Sequence, residues 1–206
     1  MRPPNPVESQ SLSWTAPTAP GLPSIVAAAR ARPGAKLDPH RKFGAFITMS
    51  RVLIRAANVA DVPLILEFIR DLADYEKLLH EVEATAAQLS ATLFGAAPVA
   101  YCVLAFVDGA PAGFALYFFS YSTFLAQPGL YLEDLFVKPA HRGSSLGKAL
   151  LLHLAKIANA RGCGRMEWSV LDWNQPAIDF YRRLGAGPKA GWTVFRLTGP
   201  ALTQYQ

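Results

Sequence analysis

Two adjacent carboxylates, Glu133 and Asp134, stand out because they lie in an otherwise apolar, strand-like run. A carboxylate is costly to bury without a partner, so this position indicates a cationic ligand or an internal salt bridge. Arg142 follows, at the start of a loop of small residues that contains Gly143 and Gly147 and leads into a helical pattern. Backbone N–H groups at the start of a helix suit a pyrophosphate, although the two glycines alone also fit a plain strand-to-helix turn.

Tyr181 is a further candidate for chemistry, because a phenol with an ordinary pKa of about 10 can donate a proton and recover it. It lies beside Phe180 in an amphipathic helical pattern, so a position in the core is the alternative. Side chains alternate along a strand, so Asp134 is expected to face away from Glu133. Only one of the two carboxylates would then meet a ligand.

The segments around these residues have the patterns of alternating strands and helices. Apolar spacing predicts a helix from Asp61 to about Tyr75, and a capping-box pattern at Thr85 and Gln88 opens a second one. Strands are predicted at residues 51–56, 101–107, 112–121, 130–137, 166–171 and 192–197, and two later helices at residues 146–160 and 174–185. Hairpins come first and β-α-β crossovers later, which predicts one α/β domain with a mixed sheet and helices on both faces.

Four stretches in this order resemble the GNAT superfamily of N-acetyltransferases, in its diamine (spermidine/spermine) acetyltransferase branch. The loop from Arg142 to Gly147 resembles motif A, and residues 173–186 resemble motif B. The other two are residues 72–76 and the consecutive pair of stretches 113–121 and 131–137, taken together. The resemblance spans about residues 51–200 and implies the GNAT fold, with six to seven strands flanked by about four helices. Ser145 departs from the pattern, which has glycine there, and a serine tolerates a left-handed backbone less well.

The resemblance implies transfer of an acetyl group from acetyl-CoA to a primary amine of a small cation, such as a polyamine, a diamine or thialysine. It assigns Tyr181 as the general acid and Glu133 as the group that relays the amine proton. It implies that the cofactor is held by Leu135, Phe136, Val137, Arg142, Gly143, Ser144, Ser145, Leu146, Gly147, Lys148, Asn174, Gln175, Pro176, Ala177 and Tyr181. The implied substrate-binding residues are Tyr75, Glu76, Glu133, Glu167, Trp168 and Ser169.

Two other functions remain open on the sequence. One is acetylation of a protein N-terminus or lysine, which would need an open groove. The other is an acetyl-CoA sensor without turnover, which Ser145 favours and the presence of Tyr181, Glu133 and Asn174 disfavours. The resemblance also implies a homodimer, and neither a metal nor a membrane is expected.

Composition supports one globular domain with an appendage. Of the 206 residues, 51% are apolar, which is enough for a sizeable core. The two cysteines have no metal-ligand spacing, and a reducing cytoplasmic setting is expected. The net charge of +5 gives little support to nucleic-acid binding, because residues 1–48 carry six Lys/Arg against two Asp/Glu and thus most of the excess.

Residues 1–48 differ in composition from the rest. They contain eight of the sixteen prolines, so we expect a disordered extension ahead of a folded domain at residues 49–206. An acid-poor, Arg-bearing stretch within them fits a transit segment. Met49 directly precedes the first predicted strand, so a mis-assigned start is the alternative.

Overall fold

Five strands form one mixed sheet in the order β1-β2-β3-β4-β5. The computed structural model describes residues 51–205, so the disorder expected for residues 1–48 lies outside the described residues. The strands are β1 (Val52–Ala56), β2 (Tyr101–Val107), β3 (Ala110–Ser122), β4 (Gln127–Val137) and β5 (Arg165–Trp168). Neighbours from β1 to β4 are antiparallel, whereas β5 pairs parallel with β4. The mixed α/β fold is therefore confirmed.

The helices begin and end where the local sequence dictates. They are α1 (Val62–Glu76), α2 (Ala86–Phe94), α3 (Leu146–Ala160), α4 (Gln175–Arg183) and the short α5 (Pro200–Thr203). The capping box of Thr85 and Gln88 is present at α2. Asp61 precedes α1 but makes no side-chain cap there; both of its carboxylate oxygens instead accept hydrogen bonds from Arg55 at 2.7 Å.

Helices cover both faces of the sheet, as the crossover pattern predicts. On one face, α1 and α2 pack against the sheet through Phe68, whose ring stacks on Phe114 with ring centres 5.4 Å apart. On the other face, α3 buries Leu150 and Leu154 completely. This double-sided packing fixes the carboxyl end of β4 between α1 and α3.

The sixth strand predicted at residues 192–197 is wrong, and the described chain has five strands. Trp192, Val194 and Phe195 have the residue types of a strand, but a strand also needs a neighbouring edge to pair with. Between residues 187 and 198 of the described chain, no backbone hydrogen bond is formed. Val194 and Phe195 are 87% and 91% exposed.

Candidate active site

The main cleft opens where β4 and β5 separate. Their last paired residues are Leu132 and Trp168, whereas β4 continues to Val137 beside β3 alone. One edge of this last part of β4 therefore has no strand partner. The cleft has a volume of about 990 Å³ and is lined by the end of α1, the end of β4, the loop into α3, and α4.

A β-bulge brings both adjacent carboxylates to this cleft. The pairing of β3 with β4 shifts between Leu116, which faces Asp134, and Tyr117, which faces Leu132. Glu133 is the extra residue, so the expected alternation fails here and both Glu133 and Asp134 line the cleft. The expectation that Asp134 faces away is therefore wrong.

The cleft is acidic at its α1 side, where Glu76 also contributes a carboxylate. Burial raises the pKa of Asp134 to about 6, and the negative charges of Glu133 and Glu76 add to this effect. Burial also raises the pKa of Glu76. The repulsion that Glu133 and Glu76 exert on the ionised form of Asp134 favours a cationic ligand, because its charge would offset that repulsion.

Tyr181 points its partly buried ring into the same cleft from α4. Its ring centre lies 5.0 Å from that of Trp168 and 5.2 Å from that of Phe180. Burial raises the pKa of its phenol, and the charge of Glu76 adds to the rise. The hydroxyl makes no hydrogen bond within the described residues, so its proton is available to a ligand.

The loop into α3 presents unpaired backbone N–H groups. Within residues 51–205, the N–H groups of residues 143–148 have no protein acceptor. Gly143 has a φ of +78°, and a Cβ there would meet nothing within 4 Å. Ser145 has a φ of +67°, so the serine adopts the left-handed conformation for which glycine is the usual residue. The loop with Lys148 thus fits a polyanionic group at a helix N-terminus.

Asn174 shapes the opposite wall by starting α4. Its Oδ1 accepts a hydrogen bond from the N–H of Ala177 at 3.3 Å, and Pro176 occupies the first turn. Tyr181 lies in this helix, five residues after Pro176. The cap therefore helps to set the position of the phenol.

Most of the predicted site residues line this one cleft. They are Tyr75, Glu76, Glu133, Leu135, Phe136, Val137, Arg142, Gly143, Ser145, Leu146, Gly147, Lys148, Ser169, Asn174, Pro176, Ala177 and Tyr181.

Four predicted residues lie outside the lining of the cleft: Ser144, Gln175, Glu167 and Trp168. The hydroxyl of Ser144 donates to the carbonyl of His141, and Gln175 donates to Asp179. Glu167 is held by Arg165, with 2.7 Å between Nε and Oε2, so its charge is already compensated.

Sequence reasoning missed several lining residues, of which Asp134 is the most consequential. The others are Leu72, His141, Val170, Leu171, Phe180, Arg183 and Leu184. The acidic pair Glu133 and Asp134 in an apolar strand pointed to this position in the sequence. The bulge that brings Asp134 to the cleft cannot be inferred from a single sequence. No group of His, Cys, Asp and Glu suited to a metal occurs within the described chain, and none of its helices is long and apolar enough to cross a membrane.

Comparisons with known proteins identify the family of the chain. The model of the Acetyltransferase (GNAT) family matches residues 66–186. Thialysine N-epsilon-acetyltransferase of Bos taurus is 39% identical over 167 residues, covering 76% of this chain and 98% of the relative. L-ornithine N5-acetyltransferase of Arabidopsis thaliana is 33% identical over 194 residues, covering 72% of this chain and 85% of the relative.

A solved structure shares the fold. An integron cassette protein from the mobile metagenome of V. cholerae superposes with a TM-score of 0.64 and 25% sequence identity. The match covers 75% of this chain and 96% of that protein.

Proposed function

The chain belongs to the GNAT acetyltransferase family and is an N-acetyltransferase, and from this premise we propose that it acetylates a primary amine of a small cation with acetyl-CoA in a ternary complex. One observation carries the proposal. A single cleft combines a loop of free backbone N–H groups, a protonated phenol and three carboxylates. An anion-binding end and a cation-binding end thus meet within reach of one proton donor.

The residues present fit acetyl-CoA. The free N–H groups of residues 143–148 and the charge of Lys148 suit its pyrophosphate, and the unpaired edge of β4 from residue 133 to 137 suits its amide-bearing arm. When bound, acetyl-CoA supplies the activated thioester. An N–H group of β4 aimed at the carbonyl would stabilise the negative charge that develops there.

Two side chains hold the protons that the transfer moves. As the new N–C bond forms and the C–S bond breaks, the amine must lose a proton and the departing sulfur must gain one. Glu133, exposed at the bulge, accepts the first directly or through water, and Tyr181 donates the second. Burial keeps the Tyr181 phenol protonated and ready to donate.

The acidic side of the cleft supports a small cationic substrate. Glu76, Glu133 and Asp134 line the same cleft as Tyr181, and a positive charge on a ligand would offset the repulsion that Glu133 and Glu76 exert on ionised Asp134. Relatives named for thialysine and ornithine acetylation point to the same class, which includes diamines and polyamines.

A homodimer in a reducing, cytoplasmic setting completes the proposal. Both cysteines of the chain are free thiols, which suits such a setting. The exposed apolar side chains of residues 192–197 offer a surface that a second copy would cover.

A thiol-release assay with acetyl-CoA and a panel of amines tests this function. The panel holds spermidine, putrescine, thialysine, ornithine, lysine and a basic peptide, each with the full chain. We expect turnover with at least one small amine and little with the peptide. Turnover with the peptide alone would favour a protein acetyltransferase, and acetyl-CoA binding without turnover on any amine would favour a sensor.

A further inference from the structure

Arg142 covers a ring that belongs to the amine side of the cleft. Its guanidinium carbon lies 4.3 Å from the centre of the Tyr75 ring and 5.6 Å from that of Phe136. Its Nε donates to the carbonyl of Val137 at 3.0 Å, which anchors the side chain at the end of β4. The guanidinium therefore connects the end of β4 with the end of α1.

Tyr75 connects three walls of the cleft. It is the penultimate residue of α1, and the half-buried Glu76 follows it. The ring of Trp173, in the loop before α4, lies 6.1 Å from the Tyr75 ring at an angle of 51°. Arg142 thus lies over the Tyr75 ring and Trp173 lies beside it, while 36% of the Tyr75 residue stays exposed.

A guanidinium on an aromatic face occupies the position that a substrate ammonium would take, since both are cations attracted by the same ring. The terminal amino groups of Arg142 make no hydrogen bond to any described residue, so they are free to bind another partner. A pyrophosphate offers bidentate, charge-assisted hydrogen bonds, which are stronger than a contact with a partly exposed ring.

We propose that Arg142 acts as a plug over the Tyr75 face of the amine site and leaves it when a pyrophosphate binds the neighbouring loop. The inference rests on the proposed function, because it takes the pyrophosphate to be that of the acetyl donor. The amine site then opens only in the cofactor complex. By linkage, each ligand tightens the binding of the other by the same factor.

Calorimetric binding of spermidine and thialysine to the full chain, with and without CoA, tests the plug without requiring turnover. We expect CoA to tighten amine binding on the order of tenfold, the size of one displaced cation–ring contact. Arg142→Gln should bind the amine about tenfold more tightly than the wild type when CoA is absent. If Arg142 only supported the fold of the site, Arg142→Gln would weaken amine binding instead.

Lys156→Gln is the matched control, because it removes one positive charge from an exposed position of α3 outside the cleft. Its amine affinity without CoA should stay near that of the wild type. An equal gain in both variants, or wild-type affinity that does not depend on CoA, would overturn the plug. If neither amine binds the CoA complex and neither is acetylated, the proposed function fails and this inference fails with it; acetylation with CoA-independent amine affinity refutes the plug alone.

Discussion

Asp134 lines the cleft because one extra residue interrupts the pairing of β3 with β4. Its carboxyl has a pKa of about 6 instead of 3.8, since burial and the charges of Glu133 and Glu76 disfavour ionisation. Between about pH 4 and about pH 6, the Asp134 carboxyl binds more protons in the folded state than in the unfolded state. The free energy of unfolding therefore falls as the pH rises from about 4 to about 6, and the full cost applies above it.

Asp134→Asn removes that cost, so we expect the variant to be more stable than the wild type at neutral pH by at most about 3 kcal/mol. The gain should shrink toward pH 4, where the carboxyl is protonated in both states. Urea unfolding at about pH 7.5 and about pH 4.5 measures it. Glu83→Gln, at an exposed position outside the cleft, serves as control, and an identical gain for Asp134→Asn at both pH values would contradict the buried, shifted carboxyl.

Ser145 is the one residue of the loop whose type opposes its backbone conformation. The left-handed φ of +67° costs a non-glycine residue roughly 1–2 kcal/mol, whereas glycine adds about 0.5–1 kcal/mol of chain entropy to the unfolded state. Ser145→Gly should therefore raise stability by up to about 1 kcal/mol and tighten CoA binding less than about tenfold.

Ser145→Ala tests the cause of that gain, because it keeps Cβ and removes only the hydroxyl. Thermal unfolding and CoA titration of both variants separate the two effects. Equal behaviour of the alanine and glycine variants would assign the change to the hydroxyl. CoA binding by the glycine variant alone, with none by the wild type, would contradict a functional native loop.

At the scale of elements, α4 positions the phenol, and its start depends on one side chain. Asn174→Ala removes the cap on Ala177, which should cost about 1 kcal/mol of stability. Thr85→Ala removes the equivalent cap of α2, which contributes no residue to the cleft, and should cost a similar amount.

Of these two variants, only Asn174→Ala should also raise the KM for acetyl-CoA, because α4 lines the cleft and α2 does not. Initial-rate kinetics beside urea unfolding of both variants check this expectation. A KM increase of the same size in Thr85→Ala would mean that general loss of stability, and not the position of α4, affects the site.

Local sequence patterns predicted most elements and failed where tertiary pairing decides. The capping box of Thr85 and Gln88 follows from short-range chemistry and occurs as predicted. The bulge at Glu133 and the lack of a strand at residues 192–197 depend on which edges meet. The neighbours of a strand lie far away in the sequence, so a single sequence carries no direct record of them.

At the scale of the whole molecule, the segment after α4 leaves apolar surface uncovered. Trp192, Val194 and Phe195 are 70%, 87% and 91% exposed. Aromatic side chains bury about 150–250 Å² each, so two copies of this segment would bury on the order of 1,000 Å², the lower range of specific interfaces. This area supports the proposed homodimer.

Phe195→Asp should therefore shift the protein from dimer to monomer, because a charge at the centre of such an interface has no partner. Light scattering after size-exclusion chromatography measures the mass. Phe124→Asp is the control, since Phe124 is 94% exposed in the turn between β3 and β4, away from this segment in the sequence. A monomeric wild type, or dimers for both variants, would contradict this interface.

The role of Tyr181 is tested by comparing thiol release from acetyl-CoA by the wild type and Tyr181→Phe, with the best small amine of the panel as acceptor. Tyr121→Phe, at an exposed position outside the cleft, is the matched control. We predict that kcat falls on the order of 100-fold in Tyr181→Phe, with the KM for the amine little changed and the control unaffected. Unchanged kcat in Tyr181→Phe would contradict its role as the proton donor, and no amine-dependent thiol release by the wild type would contradict the proposed function itself.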